Sequence, residues 1–183
     1  LKKKLKKLKI KSFIASVGHD FTKWRDDKLR NNSYYSNTSM GGGVIFDLVH
    51  EVNLIRFFFG NIANIKTFKK KSDLFNCEDI AVSIIKTKKN IIGTLYQDMY
   101  SRFLFRSIQI ITNKKNYKID FVKNCIFEND KIIEFRNSNK QISLLKKNLK
   151  LFIKKIKKRD YSLSNFDESI DDLKNCLKMH KTV

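Results

Sequence analysis

Asp79-Ile80-Ala81-Val82-Ser83-Ile84-Ile85-Lys86-Thr87 and Asn90-Ile91-Ile92-Gly93-Thr94-Leu95-Tyr96-Gln97-Asp98 are two β-rich runs joined through Lys88-Lys89-Asn90. β-branched and aromatic residues dominate both, and so short a connection joins neighbouring strands antiparallel, as a hairpin. Similar runs flank the pair: residues 62–68 before it, then 106–112, 117–121, 124–128 and 131–136 after it. The link at residues 113–116 is again short, so the middle of the chain predicts a largely antiparallel sheet. Upstream, Ser12-Phe13-Ile14-Ala15-Ser16-Val17-Gly18 adds a strand with Phe13, Ala15 and Val17 on one side and Ile14 and Ser16 on the other.

Helical patterns bracket the strands. Gly41-Gly42-Gly43-Val44-Ile45-Phe46-Asp47-Leu48-Val49-His50-Glu51-Val52-Asn53-Leu54-Ile55-Arg56-Phe57-Phe58-Phe59-Gly60 has a glycine entry, a helical stripe and a glycine suited to the C-terminal cap. Residues 141–159 place Leu145, Leu149, Phe152, Ile153 and Ile156 along a second helix, and residues 165–179 make a third. In the third, Asn165 is placed to cap, and Asp167 and Glu168 sit where the helix dipole favours negative charge. The opening Leu1-Lys2-Lys3-Lys4-Leu5-Lys6-Lys7-Leu8 has leucines on one helical face, as at the end of a helix leading into a domain. A start at Leu1, already inside such a pattern, points to a piece of a longer polypeptide. Helix, then strands, then helices describes one α+β domain over residues 1–183.

With 183 residues, 42% of them hydrophobic and 15 of them Phe, the chain can fill one substantial core. Cys77, Cys125 and Cys176 form no CxxC pair, and His19, His50 and His180 no HxxxH spacing, so free buried thiols and no metal site are expected. No signal peptide or membrane-spanning run is apparent, and the expected location is the cytoplasm. The formal charge of +21 favours acidic partners, nucleic acid included. The lysines are nevertheless spread over several segments without a nucleic-acid motif, and abundant Lys, Asn, Ile and Phe with no Pro fit an AT-rich coding sequence. Charge alone assigns nothing here.

The chemistry concentrates in the helix after the glycines. At about 100° per residue, Ile45, Leu48, Val52, Ile55 and Phe59 gather on one side and Gly43, Asp47, His50 and Glu51 on the other. His50 has the side chain suited to proton transfer near neutrality, and Asp47, three residues earlier, lies one turn away, where a carboxylate orients or charges an imidazole. The glycines admit close approach of backbone or ligand, and the free N–H groups of a first helical turn suit an anionic or hydroxyl-rich ligand.

The segment from Gly41 to Gly60 resembles the signature helix of the Gfo/Idh/MocA oxidoreductases, NAD(P)-dependent enzymes acting mostly on sugars and cyclitols. Asn76-Cys77-Glu78-Asp79 is similar to the family's acidic turn before a core strand. Gly93 to Asp98 with Arg102 and Arg106 is similar to its glycine, aspartate and arginine hairpin, and Asp120 falls where the family often ends a strand with aspartate. Trp24-Arg25 and Tyr34-Tyr35-Ser36 resemble its tryptophan and tyrosine loop. The resemblance runs from about Lys9 to Met179. It implies a C-terminal domain: an open, mainly antiparallel sheet with helices on one face and the other face used for subunit packing. It also implies that His50 takes or returns the hydroxyl proton of a sugar or nucleotide-sugar substrate, with Asp47 as its carboxylate. Trp24, Arg25, Tyr34, Tyr35, Gly42, Gly43 and Glu51 are the candidate substrate-binding residues.

Three departures qualify that picture. Asn53 stands where the family usually has aspartate, the glycines expected around residues 112–116 are missing, and neither a GxGxxG fingerprint nor a Glu-Lys-Pro segment occurs. The expectation is therefore a substrate-binding and oligomerisation domain without its Rossmann domain, for which NAD or NADP serves the parent enzyme and no cofactor binds this chain alone. A homo-oligomer is expected through the sheet face. A non-catalytic scaffold that dimerises through its sheet is the alternative, and a basic nucleic-acid binder the least favoured one.

Overall fold

The computed structural model describes residues 1–24, 33–71, 75–135, 141–159 and 166–181; for Lys2, Lys3, Trp24 and residues 141–144 it describes the backbone only. A short helix α1 (Lys2–Leu5) leads into β1 (Ile10–Gly18), α2 (Phe21–Trp24) and two single 3-10 turns at Tyr34–Ser36 and Thr38–Met40. Helices α3 (Val44–Asp47) and α4 (Val49–Phe59) follow. The strands β2 (Ile62–Lys70), β3 (Ile80–Thr87), β4 (Ile92–Asp98), β5 (Phe105–Thr112), β6 (Asn116–Asp120), β7 (Cys125–Glu128) and β8 (Lys131–Phe135) come next. Helices α5 (Gln141–Lys157) and α6 (Phe166–Lys181) close the described chain.

The strands form one eight-stranded open sheet in the order β2-β3-β4-β1-β5-β6-β7-β8. Every neighbouring pair is antiparallel except β1 with β4, which run parallel. The expected hairpin β3–β4 is present, with Ser83 opposite Leu95. β1 enters the middle of the sheet, a long-range pairing that local patterning does not announce.

Alternation along the strands defines two faces. Phe13, Ala15 and Val17 of β1, Ala81 and Ile85 of β3, Leu95 of β4 and Ile108 and Ile110 of β5 are buried under the helices. They meet Ile45, Val52, Ile55 and Phe59 of α3 and α4, and Cys176 and Met179 of α6. Phe13 stacks on Phe59 with ring centroids 4.3 Å apart. Gly93, its partner across β1–β4, leaves the necessary room: a Cβ there would lie 2.4 Å from the Phe13 ring. On the opposite face Ile14, Val82, Ile84 and Ile92 are exposed. Helices on one side and an apolar open sheet on the other give the α+β arrangement expected.

α6 is tied to α4 by a polar cluster. Arg56 donates to Asp172 at 2.5 Å, to Asp171 at 3.1 Å and to the carbonyl of Glu168 at 2.8 Å, and Asn53 donates to Asp172 at 2.7 Å. Asn53 thus serves helix packing.

Two helix expectations are corrected. The opening helix ends at Leu5, because Ile10 already pairs with Thr112 in the sheet. The helix after the glycines is broken at Leu48, whose φ of −106° and ψ of 31° leave the helical region. Asn165, expected to cap α6, lies outside the described residues. No helix among the described residues is long and apolar enough to cross a membrane.

Candidate active site

The break at Leu48 is held by a buried side chain from the sheet. Gln97 of β4 is fully buried and its amide donates to the carbonyls of Val44 and Leu48 at 3.4 and 3.3 Å. A buried helix interruption would otherwise strand those carbonyls. α3 and the start of α4 are thereby fixed beside the C-terminal ends of β1 and β4, where the charges of Asp47, Asp98 and His50 all act on His19.

His50 is the exposed member. Its Nε2 lies 3.1 Å from Oε1 of Glu51, and the same oxygen lies 2.8 Å from Nε of Arg106, a close ion contact without the alignment of a hydrogen bond. Glu51 is only 2% exposed. Arg106 in turn covers the Phe121 ring, with its guanidinium carbon 5.0 Å from the centroid. The expectation of an open polar stripe that included Glu51 is therefore corrected. The break at Leu48 changes the helical phase, and Arg106 on β5 draws Glu51 under cover.

The glycine turn is occupied by the protein itself. Gly42 N–H donates to Asn37 O at 2.9 Å, Gly43 N–H to Tyr35 O at 3.1 Å and Val44 N–H to Glu78 O at 2.9 Å. A Cβ on Gly42 would meet the Tyr34–Tyr35 backbone at 2.2 Å, and one on Gly43 the Glu78 carboxylate at 2.4 Å. The amides of Gly42, Gly43 and Val44 are spent on these bonds, and a carboxylate faces the turn. Such a turn does not fit a dinucleotide's phosphates.

Tyr34 is half-exposed, whereas the Tyr35 ring is buried against Phe21, centroids 4.7 Å apart, with Phe75 on the far side of Phe21. Tyr35 therefore anchors the loop in the core. Trp24 ends α2 with its side chain outside the described residues, and Arg25 lies outside them altogether.

Several members were not among the candidate site residues read from the sequence. His180, on the last turn of α6, packs its ring 5.3 Å from that of Phe46 and brings Nδ1 to 3.6 Å from Glu78. Asp98 accepts from Tyr96 Oη at 3.0 Å and from the backbone N–H groups of Tyr100 and Ser101 at 2.5 and 3.0 Å. His19 follows the last residue of β1 and donates its N–H to Asp98 O at 3.1 Å. Burial lowers the His19 pKa from the usual 6.5, while Asp47 and then Asp98 pull it back up and His50 pushes it further down. The clue to His19 was its place at the end of a strand, but only the β1–β4 register shows what stands beside it.

Burial also pushes the thiols of Cys77 and Cys176 up to about 12, so neither is a nucleophile. Among the described residues no group of three His, Cys, Asp or Glu side chains is placed to hold a metal ion.

This sheet, with a broken helix carrying Asp47 and His50 across one of its faces, is the architecture of an oxidoreductase C-terminal domain. Residues 9–117 match the family described as the GFO/IDH/MocA C-terminal domain, and the chain belongs to that family. No curated protein matches it in sequence. Among solved structures, the WlbA dehydrogenase from Bordetella pertussis, in complex with NADH and UDP-GlcNAcA, is similar over 99% of this chain and 57% of its own, with a TM-score of 0.74 and 15% identity. UDP-N-acetylglucosamine 3-dehydrogenase GnnA from Acidithiobacillus ferrooxidans is similar over the same shares, with a TM-score of 0.77 and 14% identity. Levoglucosan dehydrogenase in complex with NADH is similar over 100% of this chain and 60% of its own, with a TM-score of 0.80 and 13% identity. The chain therefore spans somewhat over half the length of these enzymes.

Proposed function

We propose that the chain is the substrate-facing half of an NAD(P)-dependent sugar or nucleotide-sugar oxidoreductase, with His50 as the group that exchanges the hydroxyl proton. The carrying observation is the placement of His50: an exposed imidazole beside a break in the helix, backed by the buried Glu51 carboxylate. During oxidation His50 takes the proton from the substrate hydroxyl; during reduction it returns it. Asp47, on the turn before the break, is the second acidic residue of the site, and Glu51, kept in place by Arg106, fixes the ring. Gly42 and Gly43 shape the loop on which Tyr34 stands, and Tyr34 contributes to substrate binding, for which Trp24 and Arg25 are the further candidates in the sequence. The hydride acceptor is held by a cofactor domain outside these 183 residues, and no dinucleotide binds this chain alone. The exposed apolar face of the sheet serves self-association.

Amide chemical shifts of the chain titrated with UDP-N-acetylglucosamine test the site. Perturbation centred on Asp47, His50 and Tyr34 is expected; no perturbation there, with this sugar or with simple hexoses, overturns the reading. In a whole enzyme containing this chain, His50→Ala should lower turnover by about 10²- to 10⁴-fold. Unchanged turnover would remove His50 from the mechanism.

A further inference from the structure

α5 is the element that the fold leaves without a role. None of its described side chains belongs to the buried core or to the partly buried side chains packed against it. Its sequence, QISLLKKNLKLFIKKIK, nevertheless has the pattern of a helix that buries one side. At about 100° per residue, Leu145, Leu149, Phe152, Ile153 and Ile156 fall within one stripe about 100° wide. These five side chains are 44% to 63% exposed. Contiguous apolar surface of this kind is unfavourable in water and marks a surface that something else covers.

The lysines decide what covers it. α5 carries six lysines and no acidic residue, and Lys158 and Arg159 follow directly. By the same spacing Lys146 and Lys157 border the stripe on one side, Lys155 borders it on the other, and Lys147, Lys150 and Lys154 stand opposite. The matching surface is apolar beneath a layer of negative charge. A bilayer of anionic phospholipid has both: acyl chains receive the apolar side of a helix lying in the interface, and long lysine stems carry their charge up to the headgroups. A second copy would instead bring its own lysines against these, and a nucleic acid would leave the apolar stripe in water. The formal charge of +21 draws the rest of the chain to the same anionic surface.

We propose that α5 is a membrane-surface helix, lying in the plane of an anionic phospholipid bilayer with Leu145, Leu149, Phe152, Ile153 and Ile156 among the acyl chains. With 17 residues, six of them lysine, it lies on the bilayer and does not cross it. The inference goes beyond the proposed function and is independent of it, since docking uses neither His50 nor a cofactor.

Co-sedimentation of the intact 183-residue protein with vesicles tests it. Vesicles of phosphatidylcholine mixed with phosphatidylglycerol should bind the protein, and vesicles of phosphatidylcholine alone should bind it far less. A chain of this charge also adheres to anionic surfaces without inserting, so the deciding variants keep the charge. Phe152→Ser combined with Ile156→Ser should weaken binding to the mixed vesicles about tenfold or more, because two large side chains no longer enter the acyl region. The urea midpoint should stay as in wild type, since both residues lie outside the core. Ile84→Ser, which removes an exposed apolar side chain from the sheet face, should leave binding unchanged. No binding to the mixed vesicles, equal binding to both kinds, or equal binding by wild type and the α5 double variant would overturn the proposal. An equal loss in Ile84→Ser would overturn it too, by assigning the membrane contact to the sheet.

Discussion

Gly43 has a φ of 118° and a ψ of 158°, a backbone conformation that is essentially restricted to glycine, and its missing Cβ is replaced by the Glu78 carboxylate. Gly43→Ala should therefore cost about 1–3 kcal/mol, read as a lower urea midpoint. Gly41 has a φ of 81° but open space around it, so Gly41→Asn should stay within about 1 kcal/mol of wild type, because asparagine tolerates the left-handed region. Equal losses at the two positions would show that the Glu78 contact is unimportant.

His19 carries a sign that pH exposes. Its folded pKa lies below the unfolded 6.5, so between those two values the unfolded chain binds more protons than the folded one. Stability contributed by the neutral ring is present above about pH 6.5 and falls as pH drops below it. The urea midpoint should decline over that window in wild type and decline less in His19→Gln; parallel curves would contradict the assignment.

At the level of elements, α4 and α6 are held together through Asp172, which takes hydrogen bonds from both Asn53 and Arg56 in a buried setting. Removing one member of a buried ion pair typically costs about 3–5 kcal/mol, because the remaining charge loses its partner. Asp172→Ala should fall at or below the low end of that range, because Arg56 keeps Asp171 and the Glu168 carbonyl, with α6 amides exchanging faster than those of β1 and β4. Retained protection in α6 would mean that apolar packing by Cys176 and Met179 suffices. The same elements show what the sequence makes legible. The β3–β4 hairpin, the buried side of β1 and the approximate extents of α4, α5 and α6 follow from short connections and periodicity. The break at Leu48 does not, because Val44 to Phe59 has an uninterrupted helical pattern, and the cause is a glutamine 49 positions away on β4. Glu51 was placed on the polar side for the same reason: periodicity knows nothing of Arg106 on β5.

For the whole molecule, the outer sheet face is the feature that asks for a partner. Ile14 of β1, Val82 and Ile84 of β3 and Ile92 of β4 are exposed on this face, with Ile84 and Ile14 flanking Thr94 in one row and 48% and 46% exposed. Contiguous apolar surface of this kind marks an interaction site in soluble proteins. Sedimentation should give a dimer, and Ile84→Lys, whose side chain leaves the helix-covered core untouched, should give a folded monomer. A wild-type monomer at high concentration would assign the face to something other than self-association.

The in-frame DNA upstream of the Leu1 codon bears on the half-enzyme proposal itself, and sequencing it is decisive. A strand followed by a GxGxxG turn and a helix, with a Glu-Lys-Pro segment further on, is the predicted result and would place residues 1–183 behind a dinucleotide-binding domain. A stop codon or an unrelated fold there would contradict the proposal and leave the chain as a binding module without hydride chemistry.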